Sequence, residues 1–331
     1  MKQKLLLCLF FAMPTFACFA QLTDERSVWN NSDLKGKVKS LTETTYIIVN
    51  GDPKLKITDQ KITIQDETIK NYDRNGLITD QSLISYIGGE SKRWVFTYDS
   101  QNRMIEEAVY NDKGLDETVV YTYSGNNLTQ KVWYKGATKN LEKTWYYQYD
   151  GNGKLLSEYW ADANGQISWK SVYKYDVQGN MTEKSWIVDD RTTSKWTCKY
   201  DDNGRAIENA EYANGILKEM TYNSYDRKGL LQGVKVFKSD DVPDYRKEFS
   251  YNGKGNLRME WWYDAGGKLI QRRNFDYDKI QNMIASFTWG GDNKLLDKTY
   301  RTYDGTGNYY QQIDYEGQIP VFTIKRTISY Y

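Results

Sequence analysis

A tyrosine returns along this chain every 25 or 26 residues, each time followed by a small polar residue, a turn and an aliphatic side chain. Tyr149-Asp150-Gly151-Asn152-Gly153-Lys154-Leu155 shows the pattern most cleanly. The anchors run Tyr72, Tyr98, Tyr123, Tyr149, Tyr175, Tyr200, Tyr225, Tyr251, Tyr277 and Tyr303. A period held this tightly implies one supersecondary unit stacked on copies of itself.

Each unit carries a second turn signal near its midpoint, such as Lys135-Gly136, Asn164-Gly165, Asn214-Gly215, Asp240-Asp241 or Gly266-Gly267. Turns about every 13 residues leave roughly nine per strand, too few for a parallel crossover, so each repeat is predicted to be one antiparallel hairpin. The recurring Asp after the tyrosine is read as turn chemistry: Asp, Asn and Ser all accept hydrogen bonds from backbone amides just downstream. The expected fold is all-β, an antiparallel meander of about twenty strands curled into a spiral or barrel-like sheet.

Side-chain parity assigns faces. Before each anchor, positions −2 and −4 share the tyrosine's face and are mostly large and apolar: Phe96 and Trp94, Tyr147 and Trp145, Cys198 and Trp196, Phe249, Phe275. Thr97, Gln148, Lys174 and Lys199 alternate with them, the period of a half-buried strand. Asn223 and Arg301 break the pattern and predict a bulge or a looser face in their units. After the turn, Met104, Leu155, Met181, Leu257 and Met283 open the next strand. Tyr159, Tyr212, Trp261, Tyr263, Phe287, Trp289, Ile313 and Tyr315 are expected on the same inner face.

Residues 1–20 carry Lys2 and Lys4, an apolar run from Leu5 to Phe11 and a small-x-small ending, the pattern of a secretory signal cleaved before Gln21. This predicts an exported protein of the periplasm, cell surface or extracellular space. Lipid attachment at Cys18 is the weaker reading, since Thr15-Phe16-Ala17 lacks the usual aliphatic residue. Residues 21–71 read as an N-terminal cap with a leading hairpin that turns at Asn50-Gly51-Asp52-Pro53. Residues 72–331 form the array, in which Val321 to Tyr331 is a last strand whose Lys325 and Arg326 are expected to blunt an open edge.

Lys plus Arg is 45 against 44 for Asp plus Glu, so no charge excess draws the chain to nucleic acid. No apolar stretch approaches the ~20 residues of a membrane-spanning helix. Outside the signal only Cys198 remains, which leaves no internal disulfide and reads as a buried core residue.

The chain has no histidine, which removes Ser-His-Asp and Cys-His catalysis and His-ligated metal sites. Asp201-Asp202-Asn203-Gly204 lacks the twelfth-position carboxylate of a calcium loop, where Tyr212 stands. Neighbouring acids such as Glu106-Glu107 point to opposite faces of a strand. No catalytic residue, metal or cofactor is therefore expected, and the chain is read as a non-enzyme. Trp160, Trp186 and Trp262 fall eleven residues after their anchors and, by simple alternation, face outward; Trp133 occupies a related place. A ladder of such rings suits stacking on sugar or anchoring a protein, so these four are the candidate ligand-binding residues.

The Tyr-Asp-x-x-Gly-x-Leu core, the repeat step and the Lys35-Gly36-Lys37-Val38-Lys39 lead-in resemble the YD or RHS repeat family of secreted bacterial proteins, over roughly Val38 to Tyr331. The resemblance implies a spiralling sheet, with roles in toxin shells, cell-surface adhesion or carbohydrate association. The array read here is shorter than those shells, so the encapsulating role is not the one expected. The expected function is a binding or structural module at the cell envelope, with a glycan or a cell-surface protein as partner. The alternative is a carbohydrate-active enzyme or accessory subunit.

Overall fold

The computed structural model describes residues 34–239 and 242–331. The signal at residues 1–20, the Cys18 reading and the Asp240-Asp241 turn lie outside them. The chain runs β1 Val38–Ile48, a short 3-10 turn Ile57–Asp59, β2 Ile62–Tyr72, β3 Ile78–Ser85, β4 Ser91–Tyr98, β5 Met104–Asn111, β6 Gly114–Ser124 and β7 Asn127–Lys135. Next come β8 Asn140–Tyr149, β9 Leu155–Asp162, β10 Ile167–Tyr175, β11 Met181–Val188, β12 Arg191–Tyr200, β13 Ala206–Ala213 and β14 Ile216–Tyr225. The wall is completed by β15 Leu231–Lys238, β16 Val242–Tyr251, β17 Leu257–Asp264, β18 Leu269–Tyr277, β19 Met283–Gly290, β20 Leu295–Tyr303, β21 Tyr309–Glu316 and β22 Ile319–Tyr330.

Every strand pairs antiparallel with the next, and β1 pairs with both β2 and β22. The meander therefore closes into a 22-stranded barrel. At ~4.8 Å between strands and a usual tilt near 40°, the circumference is on the order of 140 Å. Each strand packs on its two ring neighbours, so the wall is one sheet thick.

The turns follow the chemistry of the repeat. Asp150 Oδ1 accepts the N–H groups of Asn152 and Lys154 at 2.9 and 2.8 Å, while the Gly153 N–H bonds the Asp150 carbonyl at 3.1 Å. Gly153 has φ +81°, a left-handed conformation that favours a residue without Cβ. The anchor tyrosines act one level up. Each hydroxyl from Tyr98 to Tyr303 donates to the carbonyl of the residue that pairs with the preceding anchor, at 2.7–2.9 Å. Successive turns on one rim are thereby tied together.

A bulge sets the faces. Tyr149 pairs with Leu155 but Gln148 with Ser157, so Leu156 is an extra residue; the same slip recurs at most of the anchors, including Tyr98, Tyr200, Tyr251 and Tyr303. One inserted residue reverses the side-chain alternation beyond it. The expected facing of the strand after each turn is therefore inverted. Tyr159, Tyr212, Trp261, Tyr263, Phe287, Trp289, Ile313 and Tyr315 stand on the face of Gln148 and Lys174, whereas Trp133, Trp160, Trp186 and Trp262 share the face of the anchor tyrosines. The units of Tyr225 and Tyr303 carry the same bulge as the others. Asn223 Nδ2 donates to the Ala206 carbonyl and Arg301 Nε to Gln312 Oε1.

The tyrosine face is the inside of the barrel. Its large side chains, among them Leu41, Tyr72, Val119, Tyr121, Tyr147, Tyr173, Met181, Cys198 and Val236, are buried, as converging side chains on a concave wall should be. Buried residues of the other face are small, such as Ala108, Thr118, Ser157, Ala210 and Ala285. That outer face carries Lys170, Lys195, Lys235, Arg272, Lys298 and Lys325 along its strands. In a bilayer each would cost about 2–4 kcal/mol near the midplane, so this wall suits water rather than lipid. Among the described residues no helix is long and apolar enough to cross a membrane.

Closure also corrects the reading of the ends. The β22 edge is not open: Arg326 Nε donates to Glu43 Oε2 at 2.6 Å and Lys325 lies 5.3 Å from the Tyr46 ring, both across the seam to β1. A barrel removes its edges by pairing them. The leading hairpin is likewise a full part of the wall, sealed inside by Leu34, Val38, Leu41, Tyr72 and Ile78 with Phe96 and Ile328 against them.

Candidate functional site

The inner wall from β7 to β11 gathers five of the chain's eleven tryptophans, one on each strand. Strand pairing sets Trp145 beside Trp160 and Trp160 beside Trp169. Ring centroids of Trp133 and Trp145 are 6.1 Å apart, and Trp145 and Trp169 meet edge to face at 5.2 Å. Trp186 follows on β11, opposite Ser171 of β10. Trp133, Trp160 and Trp186 stand at equivalent positions on β7, β9 and β11, on the inside rather than the expected outside. Trp145 and Trp169 fill the strands between them. Trp262 stands apart on β17, where Tyr245 packs against it at 5.5 Å and Lys247 Nζ lies 4.9 Å from its ring.

These rings are half-buried, with charges set among them. Lys143 Nζ lies 5.1 Å from the Trp133 ring. Lys184 Nζ lies 4.8 Å from Trp186, 5.0 Å from Tyr173 and 3.5 Å from Glu158 Oε1. The Tyr173 hydroxyl donates to the same Glu158 oxygen. Burial, reinforced by that bond to Glu158, holds the Tyr173 phenol far above its usual range. Burial also pushes Tyr149 up to about 12, with the Glu158 charge adding to it. A buried carboxylate placed between a phenol and an ammonium is held by both, which fixes its orientation on the wall.

Trp145 has its indole N–H buried without a hydrogen-bond partner. Such a donor is costly to leave unmade, at about 1–3 kcal/mol. On the next sector, Glu211 of β13 stands directly opposite Glu219 of β14. Burial raises the Glu219 carboxyl, and Glu211 and Asp244 add to the shift. No group of three or more potential metal ligands occurs among the described residues. Cys198 is buried and unoxidised on the inner face, as its parity predicts.

Alternation alone points Trp160, Trp186 and Trp262 the wrong way. The signal that corrects it is the doubled start of the post-turn strand, as in Leu155-Leu156 and Met283-Ile284, where two residues face one anchor tyrosine. Trp145 and Trp169 carry the signal by alternation, lying four residues before Tyr149 and six before Tyr175.

Residues 135–282 match a family model described as an uncharacterised protein. No curated protein matches the chain. Among solved structures, a porin-like protein from Bacteroides uniformis is similar over 89% of this chain and 99% of its own, at 10% identity and a TM-score of 0.32. The TcdB2-TccC3 complex without its hypervariable C-terminal region is similar over 88% of this chain, at 10% identity and a TM-score of 0.24, and the match spans only 26% of that chain. A DUF1329 family protein from Desulfovibrio piger is similar over 93% of this chain and 90% of its own, at 10% identity and a TM-score of 0.23.

Proposed function

We propose that this chain is an exported barrel of the cell envelope that binds carbohydrate on its inner wall. The observation that carries the reading is the run of Trp133, Trp145, Trp160, Trp169 and Trp186 on five consecutive strands, with Glu158, Lys143 and Lys184 among them. A pyranose has an apolar C–H face and a rim of hydroxyls. Indole rings supply the flat apolar platform, and carboxylate, phenol and ammonium groups supply acceptors and donors at its edge. The secretory pattern of residues 1–20 and the charged outer wall both favour a water-facing barrel outside the cytoplasm.

A glycan-array screen of the purified protein tests this, run beside a Trp160→Ala/Trp186→Ala double variant checked for cooperative unfolding. Retention of a glycan by the parent and its loss in the folded variant is the expected result. A blank array turns the reading toward a protein partner or a purely structural role.

One observation favours catalysis as a second reading: the opposed Glu211 and Glu219, of which Glu219 is held toward its protonated form. Glycoside hydrolysis uses a pair of carboxyls, one of them raised to serve as the acid. Incubating the protein with any glycan it retains and following product release by chromatography decides between them; hydrolysis that stops in Glu219→Gln supports the enzyme.

A further inference from the structure

The inner wall repeats itself on a longer period than the chain does. On β5, β7, β9 and β11 the residues at one equivalent level are Glu107, Lys131, Glu158 and Lys184, so charge alternates from repeat to repeat. Between them, on β6, β8 and β10, stand Tyr121, Tyr147 and Tyr173. The result is one four-residue group built twice. In the first, the Tyr121 hydroxyl donates to Glu107 Oε2 at 3.0 Å and Lys131 Nζ lies 5.1 Å from the Tyr121 ring, with Trp133 two residues further on the same face. In the second, the Tyr173 hydroxyl donates to Glu158, Lys184 Nζ lies 5.0 Å from the Tyr173 ring, and Trp186 is two residues further on.

We infer that these groups are two repeated sugar subsites, so that the wall selects a linear oligosaccharide long enough to reach both. The inference rests on the carbohydrate reading above and adds a length requirement to it. Each group offers one indole face, one carboxylate, one phenol and one ammonium, Lys143 adding a second ammonium beside Trp133 in the first, and these donors and acceptors suit the hydroxyl rim of a sugar. Four strand spacings separate the two, about 20 Å along the wall. That exceeds a disaccharide and falls within a hexasaccharide. Trp145, Trp160 and Trp169 floor the distance between them. A ligand held at both ends gains from effective concentration, by about 100-fold or more over one subsite.

Cello-oligosaccharides are the probe, because β-1,4-linked glucose is neutral, extended and flat on its ring faces. Calorimetry on the whole protein with cellobiose, cellotetraose and cellohexaose is expected to give two cellobiose per protein, one cellohexaose per protein, and roughly 100-fold tighter binding of the hexaose. Trp133→Ala or Trp186→Ala should leave one cellobiose site at unchanged affinity and bring the hexaose to within a few-fold of cellobiose. Affinity independent of length, or one substitution that removes all cellobiose binding, overturns the two-subsite arrangement while sparing the carbohydrate reading. Failure of every cello-oligosaccharide to bind overturns the proposal, and the glycan array then decides whether the carbohydrate reading survives. The length dependence and stoichiometry of the unaltered protein suffice if a variant does not fold.

Discussion

The hydroxyl of Tyr149 donates to the carbonyl of Leu128 at 2.8 Å, joining two neighbouring turns that no hairpin connects on that rim. Removing it in Tyr149→Phe keeps the ring and loses one hydrogen bond, a cost of about 1 kcal/mol. In a chain this size that lowers Tm by ~2 °C. The phenol is pushed up to about 12, first by burial and then by Glu158, so its stabilising contribution is complete below the ordinary tyrosine value near 10 and disappears as pH rises through about 12. Urea midpoints at pH 7, 10, 11 and 12 should fall less steeply for the variant than for the parent. Identical alkaline slopes would show that this phenol does not report the transition.

The turn aspartates predict the acid limb. A hydrogen bond from the Arg205 guanidinium, followed by one from its backbone N–H, holds Asp201 below the usual carboxylate range. At Asp99 the Arg103 backbone N–H leads, with the guanidinium also contributing. A lowered folded value means that the stabilisation is present above the ordinary value near 4 and is lost as pH falls below it. Asp99→Asn/Asp201→Asn should fold, because Asn252 closes the same turn naturally with its Oδ1. Thermal scans from pH 6 to pH 3 should show a smaller loss of Tm for the double variant than for the parent.

The parts of this fold that repeat locally are legible in the sequence. Hairpin length, the capping role of Asp150 and its equivalents, and the alternation before each tyrosine all depend on residues a few positions apart. The facing of Trp160 was not legible by alternation because a single bulge residue, Leu156, intervenes between it and Tyr149. Closure was not legible either. Nothing in Val38 to Ile48 marks Ile319 to Tyr330 as its partner, since both strands read as ordinary members of a meander. Where the local rule itself breaks, as at Gln281 with φ +72° in place of glycine, neighbours compensate: its Oε1 accepts from Asn252 and Asn256.

Trp145 touches Trp133, Tyr147 and Trp169, with ring centroids between 5.2 and 6.4 Å. Rings this close couple electronically, so Trp145→Ala should remove much of the aromatic circular dichroism while cooperative unfolding persists. The stability loss should be about 2 kcal/mol, below the 3–5 kcal/mol of a fully buried tryptophan, because one side of the cluster faces the open interior. A collapse of the fold would instead identify the ladder as core rather than as an available surface.

Asn308 tests how the seam is kept shut. It is 1% exposed, its Oδ1 accepts the Lys35 N–H at 2.6 Å, and its Nδ2 donates to the Lys35 carbonyl and the Tyr330 hydroxyl at 2.7 and 2.8 Å. Lys35 Nζ reaches on to Asn282 at 2.7 Å. One side chain therefore holds the segment before β1 against the end of β22, at the one strand junction that no hairpin closes. Asn180 occupies the equivalent turn position in a hairpin-joined repeat and bonds its side-chain amide to Asp176. Asn308→Ala should cost about 2–3 kcal/mol, since buried backbone groups of Lys35 lose their partners, and Asn180→Ala about 1 kcal/mol. Hydrogen exchange gives the sharper reading. In Asn308→Ala, amides of β1 and β22 should exchange faster while those of β9 and β10 keep their protection, because the seam can open without disturbing the hairpins. Uniform acceleration around the ring would mean that the barrel opens as one unit and that the Lys35 clip is only one contact among many.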